Sequence, residues 1–381
     1  MKDQVKDMST LSPEEYEAEK RRRQKKAHRK SVSRVVNRIF GFVLATVIMF
    51  GLAGLGVEYV LLKGPSKTLR NTFAITMFET RRFTWVPNIF LTEEEVAELK
   101  ASRNQHVEET FDASLISLPT QEELSADSNG PAPDAYGLID DDGDGIVIET
   151  VKGSGFVGYM IVVKDPHRVF VGAANVNSGS GLTLEQMCSK YGAIGGLNGG
   201  AYVDHNGTGT GDTPDGLTIL SGQVVNEGYG ADAFVGLDED GKLHVGYYTL
   251  NDALNLHITD GVSFGPVLII NGNVTDSAKI PSGVNPRSAI GQRADGAILL
   301  LAIDGRQVHS IGATYTDLAR IMADYGAVNA CNLDGGSSTS IYCYGKYLNS
   351  SSSANGVARA LPDAFLIRPQ NYAEQTAAAG N

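Results

Sequence analysis

Between Ile39 and Leu62 the chain reads IFGFVLATVIMFGLAGLGVEYVLL, and its first 19 residues, through Val57, carry no charge. As a helix such a stretch extends about 28 Å, close to the hydrocarbon thickness of a bilayer. The pattern predicts one transmembrane helix over 39–62, with Glu58 and Tyr59 near the far interface. Gly41, Gly51, Gly54 and Gly56 would weaken a buried helix of a soluble core. A cleaved signal peptide is the alternative, but the apolar run is long and no small-x-small cleavage site follows it. Past Ala135 the period shortens. Strands are predicted at 155–163, 168–174, 217–220, 233–237, 243–248, 267–270, 289–292, 297–303 and 364–368, rich in β-branched and apolar residues. Helical spacing appears at 182–191, ended by Gly192, and at 315–325, where Leu318, Ile321, Met322 and Tyr325 line one face and Gly326 stops it.

These elements predict an α+β fold with a mixed, mostly β-sheet core and flanking helices, preceded by the transmembrane helix. The organisation is a basic cytoplasmic tail over 1–38, the helix over 39–62 and an extracytoplasmic connector over 63–134. A catalytic domain follows over 135–370 and a flexible tail over 371–381. Inside the connector, Thr92 and Glu95 form a capping box that opens a short helix running to about Ser102. Phe83, Trp85 and Phe90 before it suggest that part of this segment packs, while 112–135 reads as linker. No repeat of fixed period is present.

Charge sharpens the topology. Residues 1–70 hold 15 Lys/Arg and 7 Asp/Glu, giving +8; the chain totals of 32 and 44 leave 17 and 37 for 71–381, giving −20. Ten basic and no acidic residues lie between Lys20 and Arg38, which places that side in the cytoplasm and everything after the span outside it. The protein is expected to be a single-pass protein of the cell membrane. The basic run fits anionic lipid contact. A body at −20 offers no basic face for nucleic acid. The 44 glycines point to a loop-rich fold containing strands. Cys188, Cys331 and Cys343 are too few for a disulfide scaffold and permit at most one intrachain bridge.

Four strings carry chemistry. In 195–202, GGLNGGAY, glycine pairs flank Asn198; Gly199 and Gly200 leave backbone N–H groups free to approach a ligand, or make a tight turn. In 285–291, NPRSAIG, Arg287 at a strand start offers a planar fork for phosphate or carboxylate, or a surface ion pair. The strand at 298–303 delivers Asp304, Gly305 and Arg306 at its end, as a site or as an Asp-Gly turn. The most specific is 330–340, ACNLDGGSSTS. Asn332 and Asp334 alternate on one strand face, and Gly335, Gly336, Ser337 and Ser338 can form a nest for an anion or sugar. It lacks the Gly-Lys-Ser/Thr ending of a P-loop. Two weaker candidates remain. Asp140–Gly145 begins like a calcium loop, but Val151 stands where the loop needs glutamate, so an acidic turn is expected. Asp204-His205-Asn206 reads as a solvated loop.

Together LNGGAYVD (197–204), DGLTI (215–219), GPVLIINGN (265–273), NPRSAIGQR (285–293), LLLAIDGR (299–306) and AVNACNLDGGSSTS (327–340) resemble, in order, the phosphodiester glycosidase family. That family includes bacterial membrane-anchored members loosely associated with exopolysaccharide biosynthesis, and the resemblance covers about 150–368. Two positions depart from it. Ala201 precedes Tyr202 where an aromatic often follows Asn-Gly-Gly directly, and Ser288 stands where Thr is frequent.

The resemblance implies an enzyme that hydrolyses a sugar-1-phosphodiester at the anomeric carbon–oxygen bond, in a cell-envelope or exopolysaccharide glycan, releasing sugar and a phosphomonoester. On it, Arg287 and Arg306 clamp the phosphate, and Asp304 and Asp334 form the carboxylate pair. Asn198 and Asn332 bind sugar hydroxyls or an N-acetyl group, beside the backbone of Gly199, Gly200, Gly335 and Gly336 and the hydroxyls of Ser337 and Ser338. The sequence requires no cofactor. A hard cation held by Asp304, Asp334 and nearby carbonyls is possible, but no spacing demands it. The competing readings are a non-catalytic polysaccharide-binding or assembly protein and a phosphodiesterase that cuts phosphorus–oxygen bonds.

Overall fold

The structure is a computed structural model that describes residues 12–80, 83–101, 110–126, 132–175, 178–203, 210–353 and 355–372. The chain forms two compact units, divided between Pro65 and Ser66. The first is one continuous helix, α1 (Pro13–Lys63), in which the basic run and the apolar run follow each other without a break. Ser12 caps it in a reciprocal capping box with Glu15, and Pro13 occupies the first turn, where its missing N–H costs nothing. An 18-residue window within it has a mean hydropathy of 2.2 and no buried residue, so the helix is long and apolar enough to cross a membrane.

The second unit begins with α2 (Lys67–Glu79), capped by Ser66, a helix in a segment that reads as connector in the sequence. A one-turn helix, α3 (Pro87–Phe90), and α4 (Glu93–Ala101) follow, with the Thr92–Glu95 capping box closed in both directions at 2.9 and 3.2 Å. Val86 and Pro87 are buried there, whereas Trp85 is exposed. The short α5 (Gln121–Ala126) leads to three antiparallel sheets.

The largest sheet has the order β1 (Ile146–Gly153), β2 (Phe156–Val163), β13 (Ile298–Ile303), β12 (Arg287–Arg293), β14 (Ala327–Leu333), β10 (Val267–Ile270) and β11 (Asn273–Val274). A second contains β16 (Lys346–Tyr347), β15 (Ile341–Cys343), β4 (Gly195–Asn198), β17 (Asp363–Ile367) and β3 (Val169–Ala173). The third contains β6 (Gln223–Glu227), β5 (Leu217–Leu220), β9 (Ile258–Ser263), β7 (Asp232–Asp238) and β8 (Leu243–Tyr248).

Strand β13 shows why the sequence pattern is continuous rather than alternating. Ile298, Leu300 and Ala302 enter a core shared with Leu197 and Phe365 of the second sheet and Val235 and Val245 of the third. Leu299, Leu301 and Ile303 enter a second core, on the opposite face, with Leu318 and Met322 of α9 (Tyr315–Asp324). A strand buried on both faces needs apolar residues at every position. Three further helices complete the unit: α6 (Leu184–Tyr191), ended by Gly192 in the left-handed region, α7 (Leu250–Asn255) and α8 (Asp276–Lys279). Cys188, Cys331 and Cys343 are free and buried, and burial raises all three thiol pKa values, those of Cys188 and Cys343 to about 12.

Candidate active site at the end of strand β14

Leaving β14, Leu333 runs into a loop, Asp334 to Ser338, whose last three residues make one 3-10 turn. Most of the candidate residues gather around it. Gly336, with φ of +63°, donates its N–H to Pro286 O at 2.9 Å and leaves room for the Arg306 guanidinium, whose nitrogens lie 3.4 and 3.5 Å from where a methyl group would be. Arg306 donates to Asn285 Oδ1 at 2.9 Å and is exposed. Desolvation, then the neighbouring charge of Arg287, lowers its pKa, and Glu79 opposes that shift. Arg359 donates to Ser337 Oγ at 3.0 Å and stacks 4.7 Å from the Tyr202 ring centroid. Two guanidinium groups therefore meet the loop, at Gly336 and at Ser337. Asp334 at its head is half-buried and accepts Gly335 N–H at 3.0 Å. Ser338 is buried inside the turn.

Asn198 does not serve as an open ligand for sugar hydroxyls. Its Oδ1 accepts Ser288 Oγ at 2.6 Å and Ser340 N–H at 3.1 Å, while its Nδ2 donates to Asp334 O at 2.6 Å. Fully buried, it fastens the Asp334 loop to β4 and β12. Asn332 points inward as well: Nδ2 donates to Gly265 O at 2.7 Å, and its buried Oδ1 makes no hydrogen bond.

Arg287 departs furthest from its expected place at the phosphate. Nη2 binds Glu79 Oε2 at 2.8 Å and Gly283 O at 2.7 Å, Nε binds Ala313 O at 3.2 Å, and the fork stacks 4.3 Å from the Tyr315 ring. Its side chain is 7% exposed. Burial opposes its charge; Tyr315 and Glu79 outweigh that and raise the pKa. It is a buried ion pair behind Arg306, formed with a helix that lies 208 residues earlier in the chain.

Asp304 is likewise occupied. Oδ1 accepts Ser350 N–H at 2.9 Å and Oδ2 lies 3.2 Å from Nε2 of the half-exposed His309. It orients an imidazole and a loop rather than facing a ligand as one of a pair with Asp334. The loop it holds returns to the site, where Ser352 Oγ donates to Gly336 O at 2.9 Å.

Gly199 makes room for a carboxyl absent from every sequence motif, and Gly200 binds it through its N–H. Gly200 N–H donates to Asp363 Oδ1 at 2.6 Å, and a methyl group on Gly199 would overlap that same oxygen. Asp363 and Arg359 are the residues that sequence reasoning missed. The local signal for Asp363 was Gly199, which adjoins it.

Elsewhere, Asp140, Asp142 and Asp144 bring carboxylate oxygens within 4.8 Å of one another. Asp140 is used by its own turn, accepting Gly143 and Gly145 N–H and pairing with Lys164 at 3.1 Å, as an acidic turn does. Asp204, His205 and Asn206 lie outside the described residues. A cavity of about 330 Å³ lined by Glu185, Cys188, Ser189, Ile194, Tyr342 and Tyr344 includes none of the site residues.

Residues 191–368 match the family model for phosphodiester glycosidases, a stretch that runs from the end of α6 to just past β17 and contains Arg306, Asp334, Arg359 and Asp363. Over this stretch the chain is similar to phosphodiester glycosidases. The mouse protein N-acetylglucosamine-1-phosphodiester alpha-N-acetylglucosaminidase is 26% identical over 221 residues, covering 51% of this chain and 41% of its own. An SPbeta prophage-derived protein of Bacillus subtilis, YomE, is 41% identical over 83 residues, 22% of this chain and 13% of that one. The chain thus spans less than half the length of either relative. Among solved structures, the zebrafish N-acetylglucosamine-1-phosphodiester alpha-N-acetylglucosaminidase catalytic domain, auto-inhibited by its pro-peptide, shares the fold. Its TM-score is 0.50 at 22% identity, over 58% of this chain and 82% of that one.

Proposed function

We propose that the domain hydrolyses a sugar-1-phosphodiester at the anomeric carbon–oxygen bond, on the outer side of a membrane in which α1 anchors it. The observation that carries this reading is that two guanidinium groups, Arg306 and Arg359, meet a turn that begins with a half-buried carboxylate, Asp334. In a body of charge −20, that is a local cationic site able to bind a phosphodiester. Phosphate is a good leaving group, so the chemistry needs anion stabilisation more than a strong acid. Asp334 takes a proton from water as its oxygen bonds to C1, the bond from C1 to the phosphate oxygen breaks, and its electron pair leaves with the phosphomonoester. The substrate we infer is a GlcNAc-1-phosphodiester or a close relative within a cell-envelope glycan. The basic half of α1 sets the orientation, N-terminus inside.

The test is reaction of the full chain in detergent with a panel of sugar-1-phosphodiesters in oxygen-18 water. The expected result is free sugar carrying the label at C1. Label in phosphate instead would make the protein a phosphodiesterase. No turnover, together with glycan binding that survives Asp334→Asn, would make it a binding protein.

A further inference from the structure

Asp363 opens β17 at 1% exposure. Oδ1 is satisfied by Gly200 N–H, but Oδ2 is buried without a hydrogen bond. An orphaned buried carboxylate oxygen is costly, and an asparagine or an apolar residue would avoid the cost. One residue, Gly199, bridges the backbones of Asp363 and Asp334. Gly199 N–H donates to Asp363 O at 3.1 Å, and Gly199 O accepts Asp334 N–H at 3.1 Å. The two carboxyls therefore stand on neighbouring chain segments across Gly199, close enough for Asp334 to act on Asp363 electrostatically. Asp304, by contrast, has both oxygens engaged.

We propose that Asp363, not Asp304, is the second carboxyl of the site: a positioning residue that keeps its proton while Asp334 is ionised, and turns Oδ2 toward the water or sugar hydroxyl that Asp334 engages. This rests on the hydrolase reading above. In the step itself Asp334 accepts the proton of the attacking water, and Asp363 ends as it began. Burial first, then the charge of Asp334, raises the Asp363 pKa from 3.8 to about 7, with the Gly200 N–H opposing. Among the described residues, Lys190 and Tyr191 on the β3 side bond the peptide of Ala173, its strand partner. Arg359, four residues upstream, is committed to Ser337 and Tyr202.

The sign follows. Below about 7 Asp363 is neutral and the site is competent as long as Asp334 is ionised. Above 7 a second negative charge appears beside Asp334, and kcat/KM falls about tenfold per pH unit. Asp363→Asn, which keeps an acceptor for Gly200 N–H, is expected to lower kcat/KM about tenfold at pH 6, because an amide is a poorer donor than a carboxylic acid, and to remove the alkaline fall. Wild type and variant then meet near pH 8. A variant that keeps the alkaline fall, or that is inactive at every pH with its fold intact, overturns the proposal. A readout without substrate is the carbon-13 carboxyl titration of aspartate-labelled full-length protein. The signal lost in Asp363→Asn should titrate near 7 and move down in Asp334→Asn, and a midpoint near 4 overturns the assignment. A wild-type chain that turns over no sugar-1-phosphodiester sinks the hydrolase reading instead, so the two failures are told apart.

Discussion

Asp334→Asn is expected to lower kcat/KM on a sugar-1-phosphodiester about a thousandfold, the size of a lost general base, with the loss in kcat rather than KM. The substitution should leave the loop in place, because the peptide at this position is held on both sides. Asn198 holds the Asp334 carbonyl, and Gly199 accepts the Asp334 N–H. An asparagine oxygen can still accept Gly335 N–H, which the aspartate does at 3.0 Å. Phosphate affinity should hardly change, since Arg306 and Arg359 remain. Initial rates across a substrate series, with circular dichroism to confirm the fold, check it. A rate within tenfold of wild type would remove Asp334 from the chemistry and with it the glycosidase reading.

That prediction uses a residue the sequence singled out, but the pairings around it were not legible there. The strands at 217–220, 243–248 and 267–270 have the bounds their composition predicts, because apolar runs of that length bury where they stand. Helix α2 was not visible. Its sequence, KTLRNTFAITMFE, has no strong apolar face, and its place in the fold comes from Thr76 and Glu79 meeting residues some 200 positions later. Asn198 stood out for its glycine neighbours. Sequence cannot say whether an amide between glycines faces a ligand or the backbone behind one, and here it faces the backbone. Asp363 follows proline at the head of an apolar strand and reads as a turn residue. Only the fold shows that Gly199, 164 positions earlier, is small on its account, and that the next N–H, of Gly200, bonds its carboxyl. Conversely Arg287 has the residue type and position a phosphate clamp needs, and the property that disqualifies it, a buried partner, has no local trace.

Glu79→Ala should destabilise the domain by about 3–5 kcal/mol, the cost of leaving one member of a buried ion pair without its partner. Glu79 and Arg287 side chains are 11% and 7% exposed, so water cannot replace the lost carboxylate. The same Oε2 also accepts Asn285 Nδ2 at 2.6 Å, and Thr76 Oγ1 accepts Val284 N–H at 3.0 Å. A methyl group on Gly283 would lie 2.6 Å from Thr76 Cα, a measure of how closely α2 sits on this loop. Losing Glu79 should therefore loosen α2 and the 283–287 turn together, and with them Asn285, which holds Arg306. Denaturant unfolding of the full chain measures the first effect and KM for the phosphodiester the second. Glu79→Gln, which keeps the acceptor, should cost less. Removing both charges, with Arg287→Met added to Glu79→Ala, should recover much of the stability but not the KM, because an apolar pair packs without a desolvation penalty yet leaves Asn285 without its acceptor. If Glu79→Ala changes stability by less than about 1 kcal/mol, the pair is a surface contact in energetic terms. Arg287 then returns to contention as a ligand for the phosphate.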